Sequence, residues 1–267
     1  MKIGIFDSGV GGLVITKSIV DRLPQYDYLY LGDTANLPYG DKSSEMVIDL
    51  VSKAVAYLFS QDCKLVIIAC NTASSEALRY LQQQFLPKYY PDRKVLGMII
   101  PTVETALADR DAKHIAILAT KGTVESSTYI KEIGKLKTGI KVSQFPAPEL
   151  VPLIESHETR LTDTVLDAYV DQITACGADT LILGCTHYCL IKDQIGKKVG
   201  QSMQIVSQDE IIPDKLHTYL EKHSEIRRDL SQEQKRLYHL TARSNYFSPI
   251  SQQIFGKVIV PTIVDLH

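Results

Sequence analysis

The sequence predicts an α/β fold with mostly parallel sheets, and three observations carry that prediction. Short apolar runs rich in Val and Ile recur along the chain. Stretches with helical apolar spacing separate them, and the strand-like runs are continuously apolar rather than alternating. A strand buried on both faces reads as such a continuous run, and strands of this kind belong to parallel sheets covered by helices.

In chain order the strand-like runs are "KIGIF", "YDYLYLG", "KLVIIAC", "KVLGMII", "HIAILAT", "IKVSQF", "TLILGC" and "MQIVS". Helices are expected between them. The segment from Ser43 to Ser60 is one, with Met46, Val47, Leu50, Val51, Ala54 and Leu58 at helical spacing. Eight strands fit two sheets of about four. The seam is placed near "MIIPTVET", residues 98 to 105, where Pro101 suits the start of a helix. After residue 208 the chain turns charged and helical, "DKLHTYLEKHSEIRRDLSQEQKR", before ending in "KVIVPTIVD". This tail is expected to pack back as an accessory.

Composition narrows the function classes. The 267 residues are 45% hydrophobic and 22% charged, as in a globular protein with a sizeable core. No apolar run approaches the ~20 residues that span a bilayer. "MKIGIFDSG" enters a strand pattern at once and leaves no room for a signal peptide, so a cytoplasmic location is expected. A formal net charge of -2 with scattered Lys and Arg argues against nucleic acid or membrane as principal partner. Five cysteines, an odd number in a chain this long, are not a disulfide framework. Reduced thiols are expected.

In open α/β sheets ligands sit beyond the carboxyl ends of the strands. Four polar clusters fall there: "FDSGVGG" (6–12), "ACNTAS" (69–74), "ATKGT" (119–123) and "GCTHY" (184–188). Each runs strand, small polar residues, helix, which aims backbone N–H groups and a positive helix end at an anion. "GVGG" fits neither the dinucleotide fingerprint nor the phosphate loop, and alone it reads as a tight turn. Asp7 and Ser8 before it make it a candidate site. Cys70 alone reads as a small buried hydrophobe. At a strand end before a helix, however, its thiolate is favoured by the helix end. Cys185 has the same placement with His187 two positions on, whereas Cys63 and Cys176 lack such context and are assigned to packing.

Two thiols facing one molecule suggest a definite reaction. One, as thiolate, removes a proton from a carbon acid, and the other, as thiol, delivers one to the opposite face. The result is inversion at carbon. Asp7 and His187 are the candidates for setting which thiol is charged.

At "FDSGVGGL", "PYG" (Pro38 to Gly40), "ACNTAS" and "GCTHY" the sequence resembles the glutamate racemases, cofactor-independent members of the aspartate/glutamate racemase superfamily. The match covers roughly the first 210 residues in order. The resemblance implies two pseudo-symmetric α/β domains with the active site at their interface. The first would comprise residues 1–99 plus 209–267 and the second residues 100–208. It also implies Cys70 and Cys185 as the bases, assisted by Asp7 and His187, with Cys70 acting on D-glutamate and Cys185 on L-glutamate. Substrate contacts fall on Asp7, Ser8, Pro38, Tyr39, Gly40, Asn71, Thr72, Thr120, Thr123 and Thr186. Glu155 matches an acidic residue near the second thiol, with a solvated helix charge as its plain reading. No cofactor or metal is implied. The partner is the small-molecule substrate, glutamate; a homodimer is left open, and in a bacterium the product would feed peptidoglycan synthesis.

The chain departs from the family pattern at Cys189, where Pro is usual after "GCTHY", at Asn36, where Arg is common, and at Ala147, where Cys is common. Two other readings stay open. One is a racemase for aspartate or a related acid. The other, of a different class, is a metal or redox module built on Cys70, Cys185, His187 and Cys189, since Cys185-x₃-Cys189 loosely fits zinc spacing. Nicotinamide and pyridoxal enzymes are disfavoured, because neither the dinucleotide fingerprint nor a Schiff-base lysine context is evident.

Overall fold

The structure is a computed structural model and describes residues 1–108, 112–201 and 203–266. Ten strands occur among the described residues: β1 (Lys2–Asp7), β2 (Tyr28–Gly32), β3 (Cys63–Ile68), β4 (Lys94–Gly97), β5 (His114–Ala119), β6 (Lys141–Pro146), β7 (Thr180–Gly184), β8 (Gln204–Val206), β9 (Arg236–Leu240) and β10 (Thr262–Ile263). They form two all-parallel sheets, in the orders β10-β9-β2-β1-β3-β4 and β6-β5-β7-β8. The α/β expectation is met, and all eight strand-like runs carry strands.

The pleat explains the layers. In β1, Ile3 and Ile5 face one apolar cluster, built with the helices Gly12–Arg22, Gln208–Lys222 and Phe247–Phe255, while Phe6 faces another under the helices Ser44–Ser60 and Asn71–Tyr80. In β5, Leu118 packs towards the helix Thr159–Ala175, and Ile115 and Ile117 pack towards the helices Ile99–Ala106 and Thr128–Leu136. Strands covered on both faces can be apolar throughout, as the sequence has them. The expected helix over Ser43 to Ser60 forms as Ser44–Ser60, because Ser43 is its N-cap and accepts a hydrogen bond from the Met46 amide at 3.3 Å.

Two expectations need correction. The first sheet has six strands rather than about four, and the tail is a sheet element as well as an accessory. β9 pairs with β2 along its length, and β10 extends the edge. "RLYHL" escaped notice because it interleaves Arg and His with apolar residues and is only partly covered, so it lacks the continuous apolar signature. Pro101 lies in the first turn of Ile99–Ala106, where a missing N–H costs little.

Within each sheet one order recurs. β2-β1-β3-β4 in the first matches β6-β5-β7-β8 in the second. The connections from β1 lead to β2 on one side and then to β3 on the other, and those from β5 do the same to β6 and β7. Each sheet therefore has a topological switch point, between β1 and β3 and between β5 and β7, where a crevice opens at the carboxyl ends. Asp7 ends β1 and Cys70 follows β3; Thr120 follows β5 and Cys185 follows β7.

Candidate active site

Both crevices open on a single cavity of about 310 Å³, lined by Cys70 and Cys185 together. Cys70 is the N-cap of Asn71–Tyr80, and its Sγ accepts the Ala73 amide at 3.4 Å and the Ser8 hydroxyl at 3.3 Å. These donors favour the thiolate, but burial outweighs them, and the neighbouring Asp7 adds to it. The thiol is pushed up to about 12. The helix end expected to acidify Cys70 is therefore present and overmatched.

Cys185 is followed by a 3₁₀ turn, Thr186–Ile191, and makes no cap bond. Its sulfur lies 3.8 Å from His187 Nδ1, and His187 Nε2 lies 2.8 Å from Glu155 Oε1. Burial alone would discharge His187. Hydrogen bonds to Cys185 and Glu155, with their negative charge, overcome it and raise the imidazole to about 10. His187 is thus an imidazolium across neutral pH, linked to a carboxylate at one nitrogen and a sulfur at the other.

Asp7 is buried beneath the first crevice. Burial raises its pKa, against the charge of His187 and the amides of Gly9 and Gly12, which lower it. Its Oδ2 accepts the Gly9 amide at 3.0 Å and its Oδ1 the Thr186 hydroxyl at 3.5 Å, a link from one sheet to the other. The glycines after it are needed for close approach. A Cβ on Gly11 would stand 2.5 Å from His187 Nδ1, and one on Gly12 would stand 2.5 Å from Asp7 Cβ. "GVGG" is thus more than a turn, because it lets the loop after β1 touch the turn after β7.

Residues 11–208 match the Asp/Glu/hydantoin racemase family. The chain belongs to that family. A glutamate racemase from Persephonella marina is 38% identical over 261 residues, 97% of this chain and 95% of the relative. One from Lactobacillus johnsonii is 33% identical over 266 residues, 99% of this chain and 96% of the relative. Among solved structures, a glutamate racemase isoform from Bacillus anthracis superposes with a TM-score of 0.88 at 32% identity, covering 99% of this chain and 97% of that one. A Francisella tularensis glutamate racemase, solved in complex with D-glutamate, gives a TM-score of 0.86 at 28% identity, covering 99% of this chain and 97% of that one.

Against this racemase frame the residues singled out from sequence divide. Ser8, Pro38, Tyr39, Gly40, Asn71, Thr72, Thr120, Thr186, His187 and Glu155 line the cavity with the two cysteines. Asp7 and Thr123 do not. Thr123 is fully buried behind the wall, where its hydroxyl lies 3.2 Å from that of Thr72 and 3.0 Å from that of Thr120. Thr72 and Thr120 are themselves 2.8 Å apart, so these hydroxyls join the two sheets at the cavity rim. Glu155 is not a solvated charge; it is 7% exposed and holds His187.

The departures are absorbed locally. Asn36 donates to both oxygens of Asp33, which also accepts the Tyr39 hydroxyl at 2.7 Å. Ala147 is buried and its carbonyl accepts the Tyr188 hydroxyl at 2.9 Å. Cys189 does not line the cavity; it packs in the core, accepts the Ser207 hydroxyl at 3.4 Å and is pushed up to about 12 by burial and Asp209. The metal or redox module required it beside Cys185 and His187, and among the described residues no three His, Cys, Asp or Glu side chains could hold a metal ion together. Cys63 packs as expected, but Cys176 is half-buried, 3.9 Å from His114 Nε2.

Sequence reasoning missed several lining residues. Lys121 stood inside the quoted "ATKGT", and Val151 and Pro152 precede Glu155 in "PAPELVPLIE". Tyr246, from the tail, reaches the cavity with no motif to announce it. No helix among the described residues is long and apolar enough to cross a membrane.

Proposed function

We propose that this member of the racemase family interconverts L- and D-glutamate by a two-thiol mechanism without a cofactor. The observation that carries the reading is the pair of thiols lining one cavity, each after the third strand of a repeated sheet order. One thiolate takes the Cα proton, leaving the electron pair on carbon. The opposing thiol then donates its own proton to the other face, so thiolate and thiol exchange roles as the configuration inverts. Burial and Asp7 hold the proton on Cys70, pushed up to about 12, while the His187 imidazolium stands on the side of Cys185. Cys185 is assigned to L-glutamate and Cys70 to D-glutamate, as the resemblance implies.

Asp7 and His187 are read as the helpers of Cys70 and Cys185. The contacts to glutamate are assigned to the lining residues, with Asp7 and Thr123 acting from behind them. Two domains are read as residues 1–99 plus 209–267 and residues 100–208, with the cavity between them. In the cell the activity would supply D-glutamate for peptidoglycan from the cytoplasm. The deciding experiment is a polarimetric or coupled assay of purified protein with both enantiomers of glutamate and aspartate, without added cofactor. Glutamate is expected to racemise and aspartate to turn over far more slowly. Equal or faster turnover of aspartate would reassign the substrate, and no turnover of either would sink the reading.

A further inference from the structure

Asn71 lines the cavity, but most of its side-chain amide is already committed. Its Oδ1 accepts the Tyr129 hydroxyl at 2.8 Å and Gln208 Nε2 at 2.8 Å, while its Nδ2 donates to Gln208 Oε1 at 2.8 Å. Both lone-pair positions of the oxygen are used, and one N–H of two remains. Gln208 and Tyr129 are fully buried and do not line the cavity.

The orientation of this amide pair is dictated from further back. Thr102 donates its hydroxyl hydrogen to the Met98 carbonyl at 2.7 Å, so towards Gln208 it offers only lone pairs. The Gln208 atom that faces it at 3.3 Å must then be Nε2, which also lies 3.2 Å from the Tyr129 hydroxyl. With the nitrogen of Gln208 fixed on that side, its oxygen faces Asn71 Nδ2. Turning the Asn71 amide over would set oxygen against oxygen at 2.8 Å in a buried site, where an unmatched polar group costs heavily.

We infer that Gln208, with Thr102 and Tyr129 behind it, positions Asn71 so that the cavity meets an N–H donor, and so tunes the site for a substrate carboxylate. Gln208 is a positioning residue; it acts through Asn71 and touches no substrate. It stands where the chain returns from β8 to the first sheet, and Thr102 stands where it left β4, so both crossings between the sheets meet at this one amide.

The inference rests on the proposed glutamate activity, and its test keeps the two apart. Gln208→Met should raise KM for both enantiomers roughly tenfold while changing kcat less than about threefold, the pattern of a lost contact made equally in ground and transition states. Thr102→Val, which keeps its shape, should give a smaller rise. In an Asn71→Ala background Gln208→Met should add nothing further to KM, whereas a merely structural role would add its cost in both backgrounds. A wild-type KM in Gln208→Met, or an equal rise in the Asn71→Ala background, overturns the inference.

The side-chain amide of Asn71, followed by ¹⁵N NMR, needs no turnover. In the wild type it should give two well-separated proton signals, one protected from exchange and the other moving on addition of D-glutamate. Both features should vanish in Gln208→Met and weaken in Thr102→Val. A freely exchanging Asn71 amide in the wild type overturns the inference even if racemisation is intact. A protein that fails to racemise glutamate but shows the locked amide loses only the activity reading.

Discussion

The two crevices of this molecule share a strand order and a cysteine, and they differ in everything that charges the cysteine. On the first side a buried carboxyl, Asp7, stands near Cys70, and the thiol takes neutral help from the Ser8 hydroxyl and the Ala73 amide. On the second, an imidazolium stands 3.8 Å from the Cys185 sulfur, backed by Glu155 at 2.8 Å. A negative neighbour favours the protonated thiol and a positive one favours the thiolate. The fold is repeated, but the electrostatics are opposed. Two equivalent thiols would meet two equivalent settings, whereas here a buried carboxyl stands on one side and an imidazolium on the other.

The harshest way to break this comparison is to delete one thiol. Cys70→Ala and Cys185→Ala should each abolish racemisation in both directions, because every turnover needs one abstractor and one donor. Each variant nevertheless keeps one base. In D₂O, Cys70→Ala should wash deuterium into L-glutamate alone and Cys185→Ala into D-glutamate alone, both without inversion. NMR of the recovered amino acid reads this directly. Wash-in to both enantiomers by one variant would show that the thiols do not serve separate faces.

Removing the helpers comes next. Asp7→Asn and His187→Asn should lower turnover roughly 10²- to 10⁴-fold. The enantiomers are equal in free energy, so kcat/KM must fall by the same factor in both directions. Any difference between the sides therefore appears in kcat and KM separately, and steady-state kinetics with each enantiomer would measure it. Near wild-type turnover in either variant removes that residue from the mechanism.

What the sequence disclosed and what it withheld follow from physical range. Cys70, Cys185 and His187 were legible because strand-end chemistry is local: an apolar run, a thiol and a helix start lie within ten residues. Glu155 was half legible, since its burial depends on the turn after β7 folding over it. Thr123 was read as a contact although it lies behind the wall, because burial by a neighbouring threonine leaves no mark in spacing. β9, Tyr246 and the Asn71–Gln208 pair were not legible at all. Gln208 is 137 residues from Asn71, and only the return of the chain to the first sheet brings them together.

A milder change sharpens the second side. Glu155→Gln keeps the hydrogen-bond length but removes a charge that helps hold His187 at about 10. The His187 value should fall, and the alkaline limb of kcat against pH should move to lower pH, with a loss of roughly tenfold at neutral pH. The sign for stability is the same. His187 is raised above 6.5, so its contribution is complete below that value and is lost as pH rises through about 10. Thermal unfolding followed from neutral pH upward should fall more steeply in the wild type than in Glu155→Gln. An unmoved alkaline limb would show that His187 does not act as the imidazolium.

The smallest expected effect tests the first side, and it needs the single-thiol variants to be read cleanly. Ser8 donates to Cys70 at 3.3 Å, and this bond lowers a thiol that burial and Asp7 raise. A hydrogen bond to a charged group contributes about 1.5 kcal/mol or more, so Ser8→Ala should make the Cys70 thiolate roughly tenfold less accessible. In the intact enzyme the equality of kcat/KM spreads that loss over both directions. In the Cys185→Ala background only Cys70 abstracts, and Ser8→Ala should slow deuterium wash-in to D-glutamate roughly tenfold. In the Cys70→Ala background only Cys185 abstracts, and wash-in to L-glutamate should be unchanged. Equal slowing in both backgrounds would mean that Ser8 binds substrate rather than tuning one sulfur. No slowing in either would mean that the Ser8 hydroxyl takes no part in setting the charge on the first side.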